Sequence, residues 1–453
     1  MSDTKHEQWS SGTVFLLAAI GSAVGLGNIW KFPYMVGSNG GSAFILIYLA
    51  AVLGIIVPIV IAELMIGRRG QRSAINTMRH VAEQEGASRN WVFAGWLGVL
   101  IAYIVLTYFS LIAGWALAYV ALAVHGTFSG INAQDSQAIF DGLIAEPTTL
   151  ILWNFLFMTI TAAIVSRGIH RGIESAVKWL MPMLFAILIV LVFYGIAVGD
   201  FAQTWRFMFS ADFENLNSET LIMALGQAFL SNSVAMSIMM TYGAYTKRNL
   251  SLGKSALIIT GADTAVALIA GLAIFPIVFA SGLQASEGPG LIFVTLPIAF
   301  GSMPLGYFLG ILFFLLLVFA ALTSTISLLE PSVSWLVEQK GFKRPTVSYV
   351  AGGVSFALGI LLMFSFNIWD TAYPLGMFER FREMTLFDLT DYITGSFLLP
   401  LSGLLITVFA GWVISKKAAR DELQFRSPHL FSIWYYTVRY LAPIALILIL
   451  LFG

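Results

Sequence analysis

Three glycines, Gly21, Gly25 and Gly27, fall close together in an apolar run and are followed at once by the amide of Asn28, within the string GSAVGLGNIWKFP. Glycine costs about 1 kcal/mol relative to Ala in a helix interior. Three of them beside a polar amide point to backbone that leaves the helix partway along. A second string, GQAFLSNSVAMS from Gly226 to Ser237, sets Gln227, Ser231, Asn232 and Ser233 as a polar island between apolar flanks. The chemistry available to such breaks is binding rather than covalent. Half-helix amino ends offer free N–H groups and a partial positive charge suited to a carboxylate. Unwound carbonyls and hydroxyls suit a hard cation with oxygen ligands. An amino acid together with Na⁺ meets both demands. The bland reading of the glycines is close helix packing through small residues. A dinucleotide-binding reading fails because no strand precedes them.

Other polar residues stand alone in apolar surroundings. Asp263, in ITGADTAVALIAG, is an ionisable group where such groups are rare and usually functional. Thr323, Ser324 and Thr325 form a hydroxyl cluster in VFAALTSTISLLEP, although hydroxyls also bond back to helix carbonyls with no further role. Glu63, in IAELMIGRRG, is expected to be buried and bonded to backbone. Lys31 is placed to pair with Asp391.

These residues need elements that cross a membrane. Of the 453 residues, 58% are hydrophobic and 11% charged, against about 25% charged in soluble domains. Mean hydropathy is +0.85. Zero net charge gives no argument for a nucleic-acid partner, and the absence of Cys excludes disulfides and Cys-ligated metals. Five His, no Cys and no carboxylate-rich cluster leave little for an enzyme. A span needs roughly 20 apolar residues. Eleven candidates lie near 12–37, 42–67, 90–124, 148–165, 174–197, 219–245, 253–281, 304–338, 346–365, 386–415 and 431–452. Met1 to Ser11 is polar and does not read as a cleaved signal peptide. The stretch 125–146 reads as a polar loop, and Ala285 to Pro304, broken by Gly and Pro, as an outside lid. Positive charge falls on alternate connections: Lys5, the clusters from Arg68 to Arg89, Arg167 to Lys178, Lys247 to Lys254, Lys340 to Arg344 and Lys416 to Arg426. Only Arg206, Arg380 and Arg382 occupy the other side. By the positive-inside rule the amino terminus is cytoplasmic. An odd number of spans then places the carboxyl terminus outside the plasma membrane. The breaks occupy the first and sixth spans, corresponding members of two five-span halves, which is the pattern of a transporter site between inverted repeats.

The strings GSAVGLGNIWKFPY, NGG, TYFSLIAGW, GQAFLSNS, MMTYGAY and FAALTST resemble the neurotransmitter:sodium symporter family along essentially the whole chain, in its bacterial, eleven-helix form. The resemblance implies an all-α polytopic fold like that of the bacterial leucine transporter. In it two inverted five-helix repeats, about 12–197 and 219–415, are followed by an extra helix at about 431–452. Helices 1 and 6 are broken at mid-membrane, all in one transmembrane domain spanning 1–453. It implies alternating-access import of an amino acid, driven by two sodium ions. The first ion falls on Ala23, Asn28, Ser231 and Asp263 with the substrate carboxylate, and the second on Gly21, Val24, Ala320, Thr323 and Ser324. Substrate contacts carry over to Ser22, Ala23, Leu26, Gly27, Val105, Tyr108 or Phe109, Leu230, Ser231, Ser233, Met236, Ser324 and Leu328. Lys31 and Asp391 correspond to an outer gate, Tyr245, Glu338 and His6 to an inner one. Gly172 and Pro182 correspond to a motif that lets the fifth helix unwind. Asp263 stands where chloride-dependent relatives have Asn, so chloride is not expected. Gly25 stands where monoamine carriers have Asp, which favours α-amino acids.

The chain also departs from the pattern. Counting back from Trp115, the carboxylate-binding tyrosine becomes Phe109, with Tyr108 one position away and about 100° aside. An aromatic gate becomes Leu230, a Leu becomes Asn232, a Gly becomes Ala235, and the inner-gate arginine becomes His6. The expected substrate is a neutral, moderately small or hydrophobic amino acid. The rivals are a betaine or sulfonate carrier, and a non-transporting ligand sensor or channel.

Overall fold

The computed structural model describes residues 8–210, 218–283 and 290–452. Among these the regular structure is helical, with no strand. Among the described residues, nine helices are long and apolar enough to cross a membrane: Ser42–Gly70, Arg89–Val124, Pro147–Ser166, Ile169–Val198, Leu252–Ala280, Gly306–Lys340, Arg344–Phe366, Leu386–Val413 and Pro428–Phe452. They supply the second to fifth and the seventh to eleventh spans of the sequence reading. The first and sixth spans are each made of two pieces.

In the first span, Ser11 caps Gly12–Ala23 by accepting a hydrogen bond from Val14 N. The chain leaves the helix at Val24, whose ψ of 101° turns its peptide away, and winds again from Gly27 to Ser38. The two pieces meet at 48°. In the sixth span, Ser218–Ser231 gives way to Ile238–Ala244. Between them Ser233, Ala235 and Ser237 take left-handed backbone, with φ of 52°, 68° and 58°. Each non-glycine residue there costs about 1–2 kcal/mol, and no right-handed helix runs through such angles. Polar groups of neighbouring spans hold this break, including Ser402, whose hydroxyl donates to the Ala235 carbonyl at 2.7 Å.

The third and eighth spans lie together along their length, and the first piece of span one packs on the fifth, seventh and eighth. The second piece of span six packs on span two through reciprocal glycines. A Cβ added at Gly67 would fall 1.9 Å from the Met240 carbonyl oxygen, and one at Gly243 would fall 2.7 Å from that of Leu64. Small residues let the backbones touch, which is how helices associate where lipid removes a hydrophobic drive. Large apolar side chains such as Leu152, Phe155, Trp179 and Phe193 point outward instead, as lipid-facing residues do.

Two connections are more ordered than expected. The polar stretch 125–146 contains the helix Ala133–Ala145, started by an Asn132 cap that receives the Asp135 N–H. The expected lid is helical over Leu291–Ser302. Its Pro297 stands inside this helix and has no N–H for the Phe293 carbonyl one turn back, which accepts a side-chain hydroxyl instead. Tyr119 and Ser136 pin this segment through the carbonyls of Phe293 and Val294 at 2.8 and 2.7 Å. The expectation for residues 285–289 lies outside the described residues.

Candidate functional site

The two breaks face each other and exchange polar contacts. Gln227 Nε2 donates to the Gly27 carbonyl at 2.7 Å, and Ser233 Oγ donates to that of Ser22 at 2.8 Å. The seventh span brings Asp263 to the same level. Its Oδ1 accepts from Asn28 Nδ2 and its Oδ2 from Ser231 Oγ, both at 2.7 Å, and Tyr48 Oη approaches Oδ2 at 3.3 Å. Asp263 is completely buried. Among the described residues no Lys, Arg or His forms an ion pair with it. A buried carboxylate without a counter-charge is costly, a cost that protonation or a bound cation would remove. The donor set of this cluster is oxygen, as a hard cation requires. Asn28 Oδ1 is turned to the Gly25 N–H at 3.2 Å, so ligation by this amide needs a side-chain rotation.

A narrow hollow lies between the breaks, its volume of about 10 Å³ enough for about one water molecule. It is lined by Ser22, Ala23, Gly25 and Gly27 from the first span, Val105 and Phe109 from the third, Leu230, Ser231, Ser233 and Met236 from the sixth, and Ser324 and Leu328 from the eighth. Serines occupy part of the wall and apolar side chains the rest; no charged side chain lines it. Ser22 Oγ, Gln227 Oε1 and Asn232 Oδ1 are buried without a protein partner, unusual unless a ligand or water meets them. Of the expected substrate contacts, Leu26 and Tyr108 do not line the hollow. Leu26 is buried elsewhere, and Tyr108 packs edge-on against Phe109 and Phe387. The one-position offset in helix register therefore puts Phe109 at the hollow.

The residues expected at a second ion lie where the first and eighth spans touch. Thr323 Oγ1 donates to the Ala320 carbonyl at 3.0 Å, and Ser324 Oγ approaches the Ser22 carbonyl at 3.5 Å. Gly21 faces Thr323 and Met181, and Val24 is the residue at which the helix ends. A Cβ at Gly25 would fall 2.2 Å from Ser324 Oγ. Gly25→Ala is therefore expected to displace the Ser324 hydroxyl and lower sodium-dependent uptake by about five- to a hundredfold, the scale of 1–3 kcal/mol for overpacking. Uptake into proteoliposomes checks this, and a rate like the parent's contradicts it.

Contacts close the site on both sides. On one side Lys31 Nζ lies 3.0 Å from Asp391 Oδ2. On the other, Trp9 donates its indole N–H to the Tyr242 carbonyl and its backbone N–H to the Tyr245 carbonyl, both at 3.0 Å. Ser10 binds the Glu174 carboxylate through N and Oγ at 2.8 Å. Tyr245 Oη donates to Glu330 at 2.9 Å, and the other oxygen of Glu330 meets Arg344. Glu338 instead accepts the Ser73 N–H at 2.6 Å. Gly172 lies in a wound π turn, Ile169–Ile173, where its lack of a side chain admits the Ile164 carbonyl. Pro182 sits within the continuous helix Glu174–Val198. His6 lies outside the described residues.

The sequence reading missed Tyr48, Glu330 and Arg344 and left Gln227 off its list. An acidic residue inside an apolar span is itself a signal, and LLEPS carried one at Glu330. Gln227 was visible within the polar island. Tyr48 had no such mark among the aromatics of its span.

A family model described as the sodium:neurotransmitter symporter family matches residues 6–134 and 142–453. The chain is 35% identical to the uncharacterized sodium-dependent transporter YhdH of Bacillus subtilis (strain 168), over 100% of this chain and 98% of that one. It is 30% identical to an uncharacterized sodium-dependent transporter of Haemophilus influenzae, covering 99% and 98% of the two. Among solved structures, that of MhsT in complex with L-phenylalanine matches with a TM-score of 0.90 and 39% identity, over 98% of this chain and 99% of that one.

Proposed function

The chain belongs to the sodium:neurotransmitter symporter family, and from that premise we propose that it imports a neutral, hydrophobic amino acid coupled to two sodium ions. The fold is that of the bacterial leucine transporter, with the first and sixth helices broken, and the protein is a multi-pass membrane transporter, not an enzyme. The observation that carries the substrate class is the mixed lining of the hollow. Serines and the bare backbone of the first break suit an α-amino and α-carboxylate pair, and Val105, Phe109, Leu230, Met236 and Leu328 suit an apolar side chain. A charged side chain on the substrate meets no partner there. MhsT in complex with L-phenylalanine supports an aromatic amino acid as substrate.

In this reading the first sodium ion is held by Ala23, Asn28, Ser231 and Asp263 and shares the substrate carboxylate, so neither binds well alone. The second is held by Gly21, Val24, Ala320, Thr323 and Ser324. It ties the first span to the eighth and favours the outward-open form; substrate then permits closure. Lys31 with Asp391 closes the outer side. The inner side, where basic loops place the cytoplasm of the plasma membrane, is closed by the segment through Trp9 with Tyr245. Glu338 and His6 are assigned to the same inner gate. Gly172 and Pro182 allow the fifth span to unwind and admit water to the second ion. Asp263 supplies a fixed negative charge beside the first ion, so chloride is not required. Uptake is expected to be unchanged when chloride is replaced by gluconate; loss of uptake contradicts this.

A thermal-shift series with the purified protein tests the substrate class. Phenylalanine, leucine, alanine, glutamate, lysine, glycine betaine and taurine are compared in sodium and in choline buffer. Stabilisation by the neutral hydrophobic members, only in sodium, is expected. Stabilisation by betaine or taurine alone assigns an osmolyte instead, and stabilisation independent of sodium removes the coupling.

A further inference from the structure

Away from the transport path, both the tenth and eleventh spans widen into π turns at one level, Phe409–Val413 and Thr437–Leu441. Such turns free backbone groups and mark functional sites more often than chance. The two cross at Gly411, where an added Cβ would fall 2.8 Å from Arg439 Cα. Trp412 Nε1 locks the crossing by donating to the Arg439 carbonyl at 2.9 Å.

This crossing holds the Arg439 side chain against aromatic rings on the outer face of the bundle. Its guanidinium carbon lies 4.2 Å from the centre of the Trp412 ring and 5.7 Å from those of Tyr435 and Tyr440. Nη1 donates to Tyr435 Oη at 2.6 Å, while Nε is buried with no protein partner. Lys416 Nζ stands 5.1 and 5.3 Å from the rings of Tyr435 and Tyr436. Trp412, Tyr436 and Tyr440 are exposed, and so are the apolar Ile433, Leu441 and Ile444 on the same helix. Among the described residues, neither Arg439 nor Lys416 forms an ion pair with a carboxylate.

An ordinary interfacial belt accounts for Trp and Tyr at this depth. It does not account for a guanidinium fixed by three rings, with donors left over, and a second cation on the Tyr435 ring that it shares. Arg presents a planar fork that fits phosphate oxygens, and Lys adds a point charge. Basic pockets between helices on the cytoplasmic side suit acidic lipid headgroups. We propose that Arg439 and Lys416, framed by Trp412, Tyr435, Tyr436 and Tyr440, bind the phosphate headgroup of an anionic phospholipid in the cytoplasmic leaflet. The leaflet rests on the orientation proposed above; the site itself does not depend on which solute is transported. The lipid's acyl chains run along the apolar face of the eleventh span.

The test is native mass spectrometry of the full chain with dioleoylphosphatidylglycerol, dioleoylphosphatidylcholine, or inorganic phosphate as probe. Sodium-dependent thermal stabilisation serves as a separate check of the transport site. Each basic group near the bilayer surface contributes about fivefold to the binding of acidic lipid. The parent is expected to retain phosphatidylglycerol in preference to phosphatidylcholine, and the Arg439→Gln, Lys416→Gln double variant to lose about twenty-five-fold in that affinity, with its sodium response intact. Undiminished phosphatidylglycerol binding by the double variant overturns the proposal. So does equal retention of the two lipids, or displacement of the lipid by millimolar inorganic phosphate. Lys416 is exposed, so Lys416→Gln alone carries the test if the double variant does not fold: about fivefold weaker binding is expected, and no change overturns the proposal.

Discussion

Asp263→Asn is expected to reduce sodium-driven uptake by at least about a hundredfold, the scale of 3 kcal/mol for removing one partner of a buried charge pair. The Asp263 carboxylate is buried, held by Asn28, Ser231 and Tyr48, and has no cationic side chain among the described residues to balance it. Asparagine keeps the shape and one accepting oxygen, so the helix packs as before while the fixed charge is lost. Two readouts separate ion binding from folding. Initial uptake in proteoliposomes is expected to fall to background. The melting temperature without sodium is expected to stay near the parent's or rise, because a bare buried carboxylate is itself destabilising, while sodium no longer raises it. Uptake and sodium stabilisation close to the parent's remove Asp263 from the ion site.

Thr323→Val has the second largest expected effect. Valine has nearly the volume of threonine and removes the hydroxyl from the contact between the first and eighth spans. That hydroxyl now bonds only to the carbonyls of its own helix, Phe319 and Ala320, and such back-bonding contributes little to stability. The folded protein therefore loses little, while the proposed second sodium site loses an oxygen ligand. Uptake is expected to fall by about ten- to a hundredfold, corresponding to 1.4–2.7 kcal/mol. The sodium concentration for half-maximal uptake is expected to rise as well. Thr323→Ser, which restores the oxygen, is expected to recover most of the rate. Equal uptake by the Val and Ser variants confines Thr323 to a structural role.

The broken helices show why some features were readable and others were not. Gly21, Gly25, Gly27 and Asn28 mark the first break because glycine and a lone amide are poor helix formers in lipid, whatever surrounds them. The sixth break carries no glycine: Ser233, Ala235 and Ser237 adopt left-handed angles that their residue types disfavour. Tertiary contacts impose those angles, among them the Ser402 bond to Ala235, so only the polar residues there announced the break. The choice between Tyr108 and Phe109 lay within one residue of helix register. Packing against Phe387 settles where Tyr108 goes, and that is long-range information. Glu330 went unnoticed for the same reason: it lies two turns from Glu338 on one helix, and only the placement of Tyr245 and Arg344 marks it out. Helices in the connections were missed because 133–145 is short and polar, and because the prolines of the expected lid read as breakers although Tyr119 satisfies the carbonyl that Pro297 leaves free.

Phenylalanine accumulation by the full chain in proteoliposomes, with a sodium gradient imposed at zero membrane potential, bears most directly on the coupled use of the two breaks. Internal phenylalanine is expected to rise above the external concentration and to fall back once the gradient is dissipated with a sodium ionophore. Filling only to equilibrium, at a rate and level indifferent to sodium, contradicts the account.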